Sequence, residues 1–184
     1  STLLMDRISC ASIETVDVFA KIQWEFWQGM GKPFKNPRFH PRGGTEDLKR
    51  AYRQVACCAE HLRWNNRMFP FFKSVRYCIV LALVFGLSSA VLSFNRISLF
   101  IEKTLRIWCL AVVGHYYDDF TYLEMVENAY FVRHMIYDVS RLLGWLLDLG
   151  KSCGPSDIYK WLGALKAIDP HGITTRMEEG RISN

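Results

Sequence analysis

The sequence lacks the features that mark several common classes of protein. Its six cysteines include no Cys-x-x-Cys pair, so we interpret them as reduced, structural thiols of an intracellular protein, in the cytoplasm or nucleus. No repeat or low-complexity segment is present, and no secretory signal opens the chain. Because it begins at Ser1 without an initiator methionine, we expect a fragment of a longer protein.

The composition is that of a globular protein with one core. At 184 residues and 50% hydrophobic content, the chain can bury a sizeable interior and is most simply one domain. A formal charge of +5 suits a polyanionic partner, although this excess is mild beside that of a dedicated nucleic-acid-binding arm.

The segment 115–120 places two adjacent carboxylates, Asp118 and Asp119, among aromatic side chains. The apolar run before it, 107–113, has the length of a strand buried on both faces, which would carry the pair at its tip. Neighbouring carboxylates repel each other, so a buried pair is protonated or bound to a cation. The alternative is a plain hairpin turn, in which aspartate is common.

Periodicity along the chain predicts helices and strands in irregular alternation. We therefore predict an α+β fold in which an antiparallel sheet carries helices packed on one face. The predicted helices are 12–30, 46–60, a segment from Ser88 to Leu105, and 126–145; 31–44 is irregular; the predicted strands are a hairpin within 62–72 that turns at Asn65 and Asn66, then 77–83, 107–114, 120–123, 146–149 and 159–165.

A second interpretation is a small membrane protein. The segment 77–95 carries no charge and approaches the length of about 20 residues that spans a bilayer. A second span would lie near 107–120. Gly86 and several serines lower the hydrophobicity of the first segment, so the sequence disfavours membrane insertion.

Five short blocks follow one another in an order that identifies a known architecture. They are Asp47 with Tyr52 five positions later, Val84-Phe85-Gly86-Leu87, Tyr116-Tyr117-Asp118-Asp119, Leu143-Gly144-Trp145 with Lys151, and Trp161-Leu162-Gly163. In this order they resemble the palm domain of a reverse transcriptase, an RNA-directed DNA polymerase, from a retrotransposon or retrovirus-like element.

The resemblance implies a metal-dependent nucleotidyltransferase. Asp47 and Asp118, supported by Asp119, would hold two Mg²⁺ ions, with Mn²⁺ as a possible substitute. Lys151 is similar to the lysine that protonates the departing pyrophosphate. His115 is interpreted as a packing residue, because magnesium prefers oxygen to imidazole ligands.

The resemblance also implies the partners, which are an RNA or DNA template with its primer and deoxynucleoside triphosphates. Tyr52 would exclude a 2′-hydroxyl from the incoming nucleotide; a core tyrosine is the alternative. The remaining implied residues are Phe85 and Gly86 in nucleotide binding and Trp161, Leu162 and Gly163 in a primer grip, for which the alternative is a hydrophobic edge strand.

The expected organisation is a partial polymerase. Residues 1–43 would form a helix and a Pro-rich remnant of the fingers, 44–167 the palm, and 168–184 a tail, with no thumb. This predicts a truncated copy of a mobile element, or a catalytically inactive remnant that still binds nucleic acid. Gly43 and Gly44 stand where the family has an apolar strand, so we expect them to weaken the support of Asp47.

Overall fold

The structure is a computed structural model that describes residues 40–84, 86, 88–169 and 172–177, with isolated positions at 21, 25, 28 and 29. The chain divides into two compact units. One comprises the residues up to Lys49 with those from Ser98 onward, and the other is Arg50–Ile97. The predicted helix 12–30 lies almost wholly outside the described residues.

The described residues form antiparallel strands and α-helices, which confirms the predicted α+β class. In chain order they are β1 (Pro41–Asp47), a 3-10 helix (Ala51–Gln54), α1 (Ala59–Leu62), β2 (Asn66–Phe71), β3 (Ser74–Ile79), α2 (Ser88–Trp108), β4 (Val113–Tyr116), β5 (Asp119–Met125), α3 (Val126–Leu142), β6 (Cys153–Ser156), β7 (Ile158–Trp161), β8 (Ala164–Asp169) and β9 (Gly172–Met177).

A four-stranded sheet with the order β4-β5-β1-β6 forms the centre of the first unit. β5 is buried from Phe120 to Glu124, with Phe120, Tyr122 and Leu123 fully excluded from solvent. Burying each such side chain contributes about 1.5–3 kcal/mol. The register pairs Asp47 at the end of β1 with Asp119 at the start of β5.

Both long helices contact the same face of this sheet, as predicted. Glu46 and His115 each pair with Phe120, so their side chains share one face. Arg133 of α3 donates to Glu46 at 2.7 Å, and Glu102 of α2 contacts His115. The opposite face carries Asp47 and Asp119.

A second sheet, β7-β8-β9, covers part of that opposite face. Its buried residues Tyr159, Trp161 and Ile168 cluster with Leu123 of β5. Thr45 of β1 donates to the main-chain carbonyl of Lys160 at 3.3 Å. This packing brings the end of β7 beside the end of β1.

Gly43 and Gly44 support β1 rather than weaken it, contrary to the expectation from sequence. A Cβ on Gly43 would lie 2.6 Å from Cζ of Tyr159, and one on Gly44 would lie 2.7 Å from the carbonyl oxygen of Cys153. The ring of Tyr122 also lies against Gly44. The two glycines therefore let two tyrosines pack directly on the strand.

The second unit contains a hairpin of β2 and β3, which pair from Asn66–Ile79 to Phe71–Ser74. The predicted turn at Asn65 and Asn66 is wrong, because the chain turns at Phe72 and Lys73. Instead, the Asn65 amide donates to the carbonyls of Val80 and Ala82 at 2.6 and 2.9 Å.

Other element boundaries also differ from the prediction. The helix predicted over 46–60 is wrong, since Asp47 and Leu48 belong to the sheet region and Arg50 turns the chain with φ 58°. The run 107–114 is not one strand, because α2 continues to Trp108 and β4 begins at Val113. The chain reverses between them at Leu110, whose φ is 52°.

The C-terminal predictions need similar corrections. The segment 146–149 is not a strand but makes one bridge, between Leu147 and Leu48. The strand predicted over 159–165 is the hairpin β7–β8, which turns at Leu162 and Gly163. The expected organisation into 1–43, 44–167 and 168–184 stays a prediction; positions 43/44 and 167/168 lie within β1 and β8, and β9 lies within 168–184.

Within the described residues, no helix has the length and hydropathy required to cross a bilayer. The segments 77–95 and 107–120 that suggested spans instead contribute to β3, α2, β4 and the start of β5.

The packing at Gly44 generates a stability prediction. Gly44→Ala should lower the free energy of unfolding by about 1–3 kcal/mol, because its Cβ would overlap the Cys153 carbonyl and the Tyr122 ring. Urea denaturation measures the change. Gly150→Ala is the control, since its Cβ would lie 3.4 Å from Asp148 Oδ1; its effect should stay within about 1 kcal/mol. Equal stability of the two variants would contradict this account of β1.

Candidate active site

Two strands and one turn bring three aspartates to one end of the central sheet. Asp47 ends β1 and is the cross-strand partner of Asp119. Asp118 lies in the turn between β4 and β5, where Tyr117 adopts a φ of 55°. The Leu48 amide donates to the carbonyl of Asp118 at 3.1 Å, which holds this turn beside β1. Main-chain pairing thus fixes the relative positions of the three residues.

Lys151 reaches the aspartates from the segment after α3. The Asp148 amide donates to the Asp47 carbonyl at 2.8 Å, and the Lys49 amide donates to Leu146 at 2.8 Å, so this segment runs along the end of β1. A turn then directs Lys151, whose Nζ lies 2.9 Å from Asp47 Oδ2. The Lys151 side chain is 69% exposed, so the pair faces solvent on the lysine side.

A cavity of about 360 Å³ lies over these residues. It contains Asp47, Asp119 and Lys151 on one side and the turn of the β7–β8 hairpin on the other. The full lining is Thr45, Glu46, Asp47, Asp119, Lys151, Lys160, Trp161, Leu162 and Gly163. A carboxylate cluster and a hairpin turn therefore share one open cleft.

The carboxylates of Asp119, which lines this cleft, and of the neighbouring Asp118 lie in an environment that disfavours their charge. Burial raises the pKa of Asp119 to about 7, and the negative charges of Asp118 and Asp47 add to the effect. Burial also raises the pKa of Asp118, although its main-chain hydrogen bond opposes the shift. The hydrogen bond and charge of Asp47 raise the pKa of Lys151. The cluster thus favours any added positive charge, whether a proton or a cation.

The donor set suits magnesium, which usually takes one or two carboxylates and completes its shell with water and substrate phosphates. Across the described residues, no three His, Cys, Asp or Glu side chains form a ready-made metal cage. The negative charge of Asp47 nevertheless contributes to the raised pKa of Asp118, and the Lys151 ammonium lies 2.9 Å from Asp47 Oδ2 as its counter-charge. These residues therefore fit an ion that takes most of its ligands from elsewhere better than a permanently bound metal.

Most residues predicted for the site come together in the first unit. Asp47, Asp118, Asp119 and Lys151 are neighbours, and the predicted primer-grip residues 161–163 line the same cavity. Trp161 is 5% exposed and belongs to the core cluster, so its packing role is established independently of any ligand.

The residues predicted to bind nucleotide belong to the second unit. The Tyr52 ring packs on Phe94 with 4.7 Å between centroids, and Gly86 has a φ of 102°. Phe85 lies outside the described residues. Their role in nucleotide binding stays a prediction.

Sequence reasoning missed Thr45 and Lys160, which also line the cleft. Thr45 shares the face of Asp47 because side chains two apart on a strand point the same way. It would have been identified had 41–47 been predicted as a strand instead of being divided between an irregular segment that ends at 44 and a helix that begins at 46. Lys160 immediately precedes the fifth block, which begins at Trp161, so the resemblance gave no signal for it.

Comparison with known proteins identifies the fold. No protein-family model matches the chain, and no curated protein sequence matches it. The chain is similar to the foamy viral protease-reverse transcriptase in complex with an RNA/DNA hybrid, with a TM-score of 0.62 and 14% identity. The dsDNA complex of that viral protein matches with a TM-score of 0.60 and 14% identity.

These alignments cover 75% of this chain and 17% and 26% of the two viral chains. A selenomethionine-labelled mutant of the prototype foamy virus protein matches with a TM-score of 0.55 and 16% identity, over 76% of this chain and 17% of that chain. The chain thus has a reverse-transcriptase-like fold and spans a minor part of the length of these proteins.

The raised pKa of Asp119 predicts a pH-dependent stability when no divalent ion is added. The folded state binds this proton more tightly than the unfolded chain, so its stabilisation is present at low pH and lost as pH rises through about 7. Melting temperatures should therefore fall from about pH 5 to about pH 8. Asp119→Asn should reduce that fall, whereas Asp138→Asn, on the exposed side of α3, should leave it unchanged. An identical pH dependence in Asp119→Asn would contradict the prediction.

Proposed function

We propose that this chain is the palm of an RNA-directed DNA polymerase that transfers deoxynucleotides to a primer on an RNA or DNA template. The observation that carries the proposal is the placement of Asp47 beside Asp118 and Asp119 at the end of a reverse-transcriptase-like sheet. We infer its origin to be a retrotransposon or retrovirus-like element.

The carboxylates would act as ligands rather than as acids or bases. Asp47 and Asp118 are the proposed principal ligands for two Mg²⁺ ions, with Asp119 in support. When bound, the ions would stabilise the charge on the attacking and leaving oxygens of phosphoryl transfer. The high pKa of Asp119 and Asp118 supports this role, because a site that resists its own negative charge gains most from a cation.

Lys151 would supply the proton that the departing pyrophosphate takes up. Its pairing with Asp47 orients the ammonium towards the cleft and keeps it protonated at neutral pH. Proton donation of this kind contributes typically 10²- to 10⁴-fold to a rate.

The β7–β8 turn would hold the end of the primer on the far side of the cleft. Leu162 and Gly163 both adopt positive φ angles, 51° and 75°, and this fixed turn faces the aspartates across the cavity. Lys160 adds positive charge to the same rim, which suits a phosphate backbone. The viral neighbours were solved with an RNA/DNA hybrid and with dsDNA, which supports nucleic acid as the partner.

Primer extension with purified protein tests the proposal. Asp47→Asn and Asp118→Asn should each lower kcat by at least about 10²-fold, because each removes charge where the transition state needs it. Asp138→Asn lowers the net negative charge equally from the exposed face of α3 and should keep the parent rate. An inactive parent in both Mg²⁺ and Mn²⁺, or an active Asp118→Asn variant, would overturn the enzyme assignment.

Lys151→Met tests the proton donor. This substitution should lower kcat about 10²-fold and leave the affinity for primer and template within about two-fold, since the lysine acts on the leaving group. Lys151→Arg, which keeps the charge but holds its proton more tightly, should recover only part of the rate. Full activity of Lys151→Met would show that Lys151 is a structural counter-charge.

One observation favours a second candidate, a nucleic-acid-binding protein without polymerase activity. Lys151 lies 2.9 Å from Asp47 Oδ2, so the charge of Asp47 already has a partner without a metal. This candidate predicts that the parent protein and Asp118→Asn bind primed template with the same affinity. It also predicts that neither protein extends the primer. Filter binding and primer extension on the same preparations separate the two functions.

A further inference from the structure

One strand of the hairpin that carries Asp118 lies at the edge of the central sheet. β4 is the edge strand of its sheet, and its four residues pair with β5 alone. Asp119 is held from both sides by β4 and β1, whereas Asp118 lies in the turn beyond them. Besides the main-chain hydrogen bond from Leu48, the position of Asp118 therefore depends on how firmly β4 is held in place.

Side chains from α2 secure the outer edge of β4. Arg106 donates from Nε to the carbonyl oxygen of Val113 at 2.6 Å. One turn earlier on the helix, Glu102 contacts Nδ1 of His115 through Oε2 and accepts from Arg106 Nη2 at Oε1, at 2.9 Å. The Glu102 carboxylate thus links His115 to α2 directly, and it holds the Arg106 side chain that binds Val113.

This arrangement is buried, which makes it costly to disturb. The side chains of His115 and Glu102 are 6% and 10% exposed. Removing the His115 ring would leave Oε2 of the buried Glu102 without its donor, while Arg106 would still bind Oε1. A buried acceptor that loses its partner costs more than the average net contribution of a hydrogen bond. His115 lies three residues before Asp118, in the strand that leads into the turn.

We propose that Glu102 and His115 are positioning residues, which fix the catalytic hairpin on α2 so that Asp118 stays beside Asp47. The inference rests on the proposed function for its kinetic consequence, but its structural content is independent of activity. This proposal gives His115 a role other than that of a metal ligand or a packing residue.

Amide hydrogen exchange of the full chain tests the positioning role directly. His115→Phe and Glu102→Gln should each speed exchange of the amides in 113–119 about ten-fold, with exchange in β8 and β9 unchanged. His115→Asn retains an N–H close to the position of Nδ1 and should restore exchange to within about two-fold of the parent. Lys103→Gln, at the exposed neighbour of Glu102, is the matched control and should have no effect.

Primer extension supplies the readout that a merely structural role would not change. His115→Phe should lower kcat about ten-fold and leave KM for the nucleotide within about two-fold, with recovery in His115→Asn. Unchanged exchange in 113–119, an equal rise in β8 and β9, or a change confined to KM would overturn the inference. If the parent extends no primer, the proposed function fails, and the exchange experiment alone decides whether the hairpin is positioned in this way.

Discussion

The pairing of β1 with β5 determines where every charged group of the site lies. A one-residue shift in this register would move Asp47 to the helix-covered face and separate it from Asp119. Gly43 and Gly44 oppose such a shift, because Tyr159 and Tyr122 pack where any side chain would have to go. A shift in one direction would move Thr45 against the Tyr122 ring, and a shift in the other would move Arg42 against the Tyr159 ring, so either would displace a packed tyrosine. The glycines therefore specify the register as well as permit the packing.

That register forces negative charges together, and the fold compensates for their repulsion. Burial and mutual repulsion raise the pKa of Asp119 and Asp118, while Lys151 neutralises Asp47 from the solvent side. A cluster of this kind reduces the stability of the free protein and favours binding of a cation. The same residues would thus lower the stability of this end of the sheet and serve the proposed phosphoryl transfer. Glu46, next to Asp47 but on the helix side, is instead paired with Arg133 and takes no part in the cleft's repulsion.

The sequence predicted the structure well where neighbouring residues alone specify it. It predicted the structure poorly where packing between distant segments decides whether a segment forms a strand or a helix. Asp118 and Asp119 follow an apolar run, and that pattern correctly predicted a hairpin tip between two strands. The helix α3 was predicted because its apolar side chains recur with a helical period. The strand β1 was missed because Pro41, Gly43 and Gly44 are poor strand formers, and they are tolerated there because tyrosines from other strands fill the space. The run 107–113 was assigned to one strand because uniform apolarity cannot distinguish a helix end from a strand, and Leu110 reverses the chain within it.

The central claim is that Asp47 and Asp118 together hold a divalent ion, and one measurement tests it without depending on catalysis. A crystal of the protein soaked in Mn²⁺ with a primed template and a deoxynucleoside triphosphate would show the metal by its anomalous scattering. The account predicts a peak within about 2.5 Å of carboxylate oxygens of both Asp47 and Asp118. It also predicts that this peak disappears in Asp118→Asn. A peak elsewhere, or an unchanged peak in that variant, would contradict the account.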